Sequence, residues 1–183
     1  IFIDNFSFSC HLFFLNTSYK MMKYPVTTYQ GLSQFYFKLI HHKIIMKVYK
    51  LKKERIVDFG CGLKEFSRMI NNFYSKNNQK LTCFNYDINK EYSEIENIDH
   101  IKFDILVSTH VLQYMTENEI RNLFHKVKKI NKECLFIFGI GKQNFLSKFL
   151  AFISFNLSAH ALTVSSYKQQ IDIINKELLI IEI

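Results

Sequence analysis

Four short apolar runs, IVDF at 56–59, LTCFNY at 81–86, FDILVS at 103–108 and CLFIFGI at 134–140, are separated by stretches too long for hairpin turns. Their spacing constrains the fold more than any other feature. Strands separated by helix-length segments pair in parallel, joined by right-handed crossovers. The run at 103–108 is apolar almost throughout, as expected of a strand covered on both faces. Between the runs, Phe66, Met69, Ile70 and Phe73 recur at i, i+3, i+4 and i+7, one face of a helix. Thr116 and Glu119 form a capping-box pattern ahead of Ile120, Leu123, Phe124, Val127 and Ile130. A last helix is predicted over 165–175, leading into the apolar run 178–181. Upstream, Leu32, Phe35, Leu39, Ile44, Ile45 and Val48 predict a helix over about 24–50. The expected fold is α/β: an open, doubly wound, mostly parallel sheet.

The chain has 183 residues, the length of one domain, with 48% hydrophobic and 22% charged residues. The domain is expected over 21–183, a cap helix at about 24–50 preceding a core of about 54–183. Residues 1–20 begin with Ile1, carry Asp4 and lack the basic start and apolar length of a signal peptide or membrane span. Met21-Met22 would be a natural start, so 1–20 are expected to form an extension outside the core.

Scarce Gly and Pro beside 19 Phe and 10 Tyr match AT-rich coding, and the net charge of +8 is expected to owe part of its size to the same bias. Apart from 47–55, read as a solvated helix end, the lysines are scattered, and nucleic acid is a disfavoured partner. The four cysteines contain no C-x-x-C pair. They are expected to be small buried hydrophobes in a reducing, cytoplasmic setting, with no disulfide framework and no metal site.

The first apolar run ends in Asp58-Phe59-Gly60-Cys61-Gly62, a strand passing into a glycine turn ahead of a helix. Glycines at 60 and 62 permit a tight turn and close ligand approach. A dinucleotide fingerprint would continue to a third glycine, yet Glu65 stands at its sixth position, a carboxylate where a pyrophosphate would lie. Asp58 at the strand end would also repel a diphosphate. It suits a cationic ligand.

These residues carry a resemblance. IVDFGCG resembles motif I of the class I S-adenosylmethionine-dependent methyltransferases. FDILVSTHVLQYM at 103–115 is similar to their motif IV, and CLFIFGI to the strand that follows. The likeness covers about 50–183. It implies a Rossmann-like fold and S-adenosylmethionine as cofactor. Asp58 and the backbone of Gly60, Cys61 and Gly62 would line its methionine part, Asp87 would accept the ribose hydroxyls and Ile88 would pack on adenine. Ser108, Thr109 and His110 would face the methyl group and acceptor. His110 and His160 are the candidate catalytic residues, each as a hydrogen-bonded wall residue or a general base. Tyr114 is expected to pack or to line the substrate. His41, His42 and His125 are expected at the surface.

Three departures from the pattern stand out. Lys64 replaces a third glycine. The segment after Asp87 is too short for the usual helix, third strand and acidic loop, leaving Asp99 as the one nearby carboxylate with a similar place in the order. The chain also ends where a sixth strand would lie, without the last antiparallel strand. The expected activity is methyl transfer to a small or lipid-like acceptor. The alternatives are a non-catalytic binding protein of this fold and an RNA methyltransferase. Against the latter, Ser108-Thr109-His110-Val111 stands where amino-methylating nucleic-acid enzymes carry N-P-P-[YF]. The greasy segment 144–157 (NFLSKFLAFISFNL) is expected to be a lid helix, or else an access wall or membrane-surface dock. It is too short for a span and is interrupted by Lys148.

Overall fold

The computed structural model describes residues 7–9, 32–144 and 163–179. Its elements in chain order are β1 (Ser7–Ser9), α1 (Leu32–Leu51), β2 (Arg55–Phe59), α2 (Glu65–Lys76) and β3 (Thr82–Tyr86). After them come β4 (Ile105–Thr109), α3 (Glu117–Ile130), β5 (Leu135–Gly139), β6 (Lys142–Asn144) and α4 (Tyr167–Glu177). Four strands form one open, all-parallel sheet in the order β3-β2-β4-β5. β1 pairs with β6 in a separate two-stranded ladder, so the described part of the N-terminal stretch lies outside the core sheet.

Side chains alternate across each strand and split the core in two. Ile56, Ile105, Val107 and Ile137 pack with Ile44, Ile45, Val48, Phe66 and Ile70 of α1 and α2. On the other face, Val57, Leu106, Phe136 and Phe138 pack with Ile120, Phe124 and Val127 of α3 and with Ile173 and Ile174 of α4. Helices therefore cover both faces, as the strand and helix spacing predicts. α3 starts at a complete capping box built by Thr116 and Glu119, and α4 at a second one built by Ser166 and Gln169.

α1 buries Ile44, Ile45 and Val48 of the expected series but not Phe35 and Leu39. Its buried stripe is Phe37, Ile40, His41, Ile44, Ile45 and Val48, whereas Phe35 and Leu39 are exposed. Phe35 and Leu39 have helical spacing but lie on the opposite side from the series 37-41-44-48, which meets the sheet.

Between β3 and β4 the described chain contains no strand, only a single 3-10 turn at Ile98–His100. β3 is thus an edge strand, and Glu94 N donates to Asn85 O at 2.9 Å, covering part of that edge with the chain's own backbone. Most of 1–20, the first part of the expected cap helix (24–31), the segment 145–162 with His160 and nearly all of the expected lid helix, and residues 180–183 lie outside the described residues. Of the run 178–181, expected as a sixth strand, only 178–179 are described, and they are not strand.

Candidate functional site

β2 lies between β3 and β4, and the chain leaves β2 for one neighbour and reaches the other later. Loops therefore diverge at the carboxyl ends of these strands and open a crevice, the position where open α/β sheets bind ligands. The first lip is the turn after β2. Gly60 N and Cys61 N both donate to Tyr86 O, at 2.7 and 3.1 Å, and Lys64 N donates to Cys61 O at 2.8 Å. Gly62 N donates to Asp87 Oδ2 at 2.9 Å. The turn is thereby strapped to the end of β3.

Gly60 has φ +78°, and a Cβ there would come within 2.2 Å of Val111 Cγ2. Both backbone conformation and space exclude a side chain. Lys64, where the sequence resemblance leads one to expect glycine, also sits in the left-handed region (φ 61°), and α2 begins after it without a side-chain cap. Its ammonium reaches Glu94 at 2.8 Å. Glu94 also accepts from Asn85 Nδ2 at 2.7 Å, and the same amide reaches Ser67 Oγ at 3.2 Å. Glu65, in the first turn of α2, pairs with Arg68 at 2.9 Å, which places an anion of the chain's own at that helix start.

Two carboxylates dominate the electrostatics. Asp58, the fourth residue of β2, is buried beside the register partners Asn85 and Val107. Burial, and secondarily the charge of Asp87, push its carboxyl up to about 7. Its Oδ2 is buried and has no hydrogen-bond partner among the described residues. Asp87, just past β3, is half-buried and better served: Oδ2 accepts from Gly62 N, and Oδ1 from Asn89 N at 2.9 Å. A negative pocket wall with one unsatisfied carboxylate oxygen favours a cation and disfavours a diphosphate. The Cys61 thiol, also buried, leans on Tyr92 O at 3.5 Å, and burial raises its pKa, so it is no thiolate nucleophile near neutrality. Cys83 and Cys134 are free, and burial pushes each up to about 12.

The second lip follows β4. Ser108 is buried, Thr109 half-buried, and the hydroxyl oxygens of both are shielded without a hydrogen-bond partner among the described residues. His110 has φ 59° and donates its backbone N–H to Gly139 O at 2.7 Å. Its ring lies edge-on to Phe37 at 5.1 Å and tilted to Tyr36 at 6.3 Å. A Cβ on Gly141 would meet its Cε1 at 2.6 Å. His110 is thus held between α1 and the turn after β5.

His41 corrects an expectation. It is buried against Phe66, ring centroids 5.3 Å apart, and burial, then the neighbouring His110, lower its pKa to about 3. It is a neutral core imidazole, whereas His42 and His125 are exposed as expected. Tyr114 is half-buried, and burial raises its phenol pKa against the opposing hydrogen bond of Gln113. Ile88, expected over adenine, is 66% exposed just past β3, next to Asp87. Asp99 pairs with Lys126 of α3 at 3.0 Å rather than with the glycine turn.

Of the residues singled out from the sequence, Gly60, Cys61, Gly62 and Asp87 meet in one hydrogen-bonded unit with the end of β3, and Asp58 lies close enough to Asp87 to feel its charge. Val111 joins Ser108, Thr109 and His110 to it through Gly60. Asn85, Glu94, Gly141 and Phe37 are contributors that the sequence motifs do not mark, and Val111 has a contact with the glycine turn that its motif does not announce. Only Asn85, a polar residue inside an apolar strand run, carried a signal. No group of three or more His, Cys, Asp or Glu among the described residues could hold a metal ion. The chain matches no protein-family model and no curated protein.

Proposed function

We propose that this chain is an S-adenosylmethionine-dependent methyltransferase of the class I type, acting on a small or lipid-like acceptor. The observation that carries the reading is Asp58: a buried carboxyl at a strand tip, one oxygen unpartnered, beside a second acid and a glycine turn. The residues present fit the cofactor. Asp58 would balance its positive charge, and Gly60 and Gly62 leave the main chain accessible. Each oxygen of Asp87 accepts one backbone N–H and keeps a lone pair for a ribose hydroxyl. Ile88 offers an exposed apolar surface for an adenine ring.

When bound, the cofactor supplies a methyl group on a positively charged sulfur. The chain's own part is to bind, to align and to accept a proton. Ser108 and Thr109 offer hydroxyls at the second lip, and His110, oriented by Phe37 and Gly141, is the candidate acceptor for the proton of a hydroxyl or amine. Much of the acceleration would come from alignment alone.

A second reading, a non-catalytic binder of the same cofactor, draws on Lys64 in a glycine conformation and on the missing segment between β3 and β4. Calorimetry with S-adenosylmethionine and S-adenosylhomocysteine is the test. Binding of both is expected, and Asp87→Ala should weaken it by roughly 1.5–3 kcal/mol, the range for hydrogen bonds to a charged group. Absence of binding to either compound removes both readings. Binding without transfer of a labelled methyl group to any component of a cell extract selects the second.

A further inference from the structure

The charge of this chain is not evenly spread. No Asp or Glu occurs between Asp4 and Glu54, a stretch with eight lysines, while the remaining residues hold 16 basic and 16 acidic side chains. The whole net charge of +8 therefore arises from one segment, and α1 carries four of its eight lysines, Lys38, Lys43, Lys47 and Lys50. On the face of α1 turned away from the sheet, Phe35 is 67%, Leu39 49% and Met46 37% exposed. At about 100° per residue these three fall within roughly 40° of one another, opposite the buried stripe. Lys38 borders them on one side, Lys43 and Lys50 on the other, and all three lysines are exposed.

We infer that this face of α1 docks on an anionic phospholipid surface. Three large apolar side chains flanked by lysines on both sides are the pattern of a helix lying in a membrane interface. The apolar strip enters the acyl boundary, and the ammonium groups reach the headgroups. A nucleic acid would use the lysines but gain little from Leu39 and Met46, and a neutral apolar partner would leave the charge segregation without purpose. None of the described helices is long and apolar enough to cross a membrane, and the arrangement calls for lying on the surface. The inference does not depend on methyl transfer.

The test is flotation of the full chain with vesicles of phosphatidylcholine alone or mixed with phosphatidylserine. Binding to the mixed vesicles is expected to exceed binding to neutral ones by more than tenfold and to fall with added salt. Each of Lys38→Gln, Lys43→Gln and Lys50→Gln should lower it roughly fivefold. Joint replacement of Phe35, Leu39 and Met46 by Ser should lower it more than tenfold. Because the chain has no tryptophan, Phe35→Trp provides a single reporter whose emission should shift to the blue on mixed vesicles only. Equal binding to both vesicle types, an emission unmoved by lipid, or binding that survives the triple replacement would overturn the inference. So would tight binding of single-stranded RNA with vesicles ignored, or a dimer that the triple replacement dissolves while vesicles have no effect.

Discussion

The two layers flanking the sheet are built differently. The α3/α4 layer is conventional: both helices open with capping boxes, the inward residues are mainly Ile, Leu, Val and Phe, and the buried amide of Gln170 on α4 is satisfied by donating to Ser165 O at 2.8 Å. The α1/α2 layer departs from this at every functional point. α2 starts from a lysine in the left-handed region without a side-chain cap, α1 buries an imidazole, and Asp58 lies on this side of the strand alternation. One layer secures the sheet. The other concentrates a left-handed lysine and an unpartnered buried carboxyl oxygen around the crevice.

The largest test of that contrast is Phe124→Ala. Phe124 is fully buried in the α3/α4 layer and rings with Phe136 and Phe138. Its loss should cost about 3–5 kcal/mol in urea denaturation, while the affinity for S-adenosylhomocysteine at a temperature where the variant is folded stays unchanged. A large fall in affinity would show that the layers are not separable.

Next is the pH dependence set by Asp58. Below the ordinary value of 3.8 the carboxyl is protonated in both the folded and unfolded chain. Between 3.8 and about 7 the unfolded chain releases the proton that the folded one retains, so stability falls as pH rises. Above about 7 both states are ionised and the loss is constant. Without ligand this amounts to roughly 4 kcal/mol as an upper bound. Asp58→Asn should flatten that slope in denaturation curves taken from pH 4 to 8. Cofactor affinity should rise with pH across the same window, since the ionised form pairs with the cation. A slope identical in wild type and variant would assign the effect elsewhere.

The smaller effects compare the two helix starts. Thr116→Ala removes the cap of α3 and should cost about 1 kcal/mol. Lys64→Gly, at the start of α2, should instead raise stability by up to about 1 kcal/mol. The left-handed conformation costs a side-chain-bearing residue about 1–2 kcal/mol, and the partly exposed pair with Glu94 returns less. Thermal melts of the two variants moving in the same direction would refute the contrast.

The strands, the parallel sheet and the capping box of α3 were legible because period and spacing report burial directly. So was the meeting of Asp58, the glycine turn and Asp87, since the ends of adjacent parallel strands must lie together. The inward face of α1 was not. Phe35, Phe37, Leu39 and Ile40 fit two helical stripes, and only packing against β2 and β4 selects one; His41 was misassigned with it. The contacts of Glu94 and Val111 were illegible for another reason: they join segments far apart in sequence, through a loop without periodicity.

A methyl group would not fit between Gly60 and Val111. The two lips therefore interlock like the teeth of meshed gears. A shift of the segment after β4 must be felt by the glycine turn after β2. Mutational drift on either side would be tolerated only in pairs.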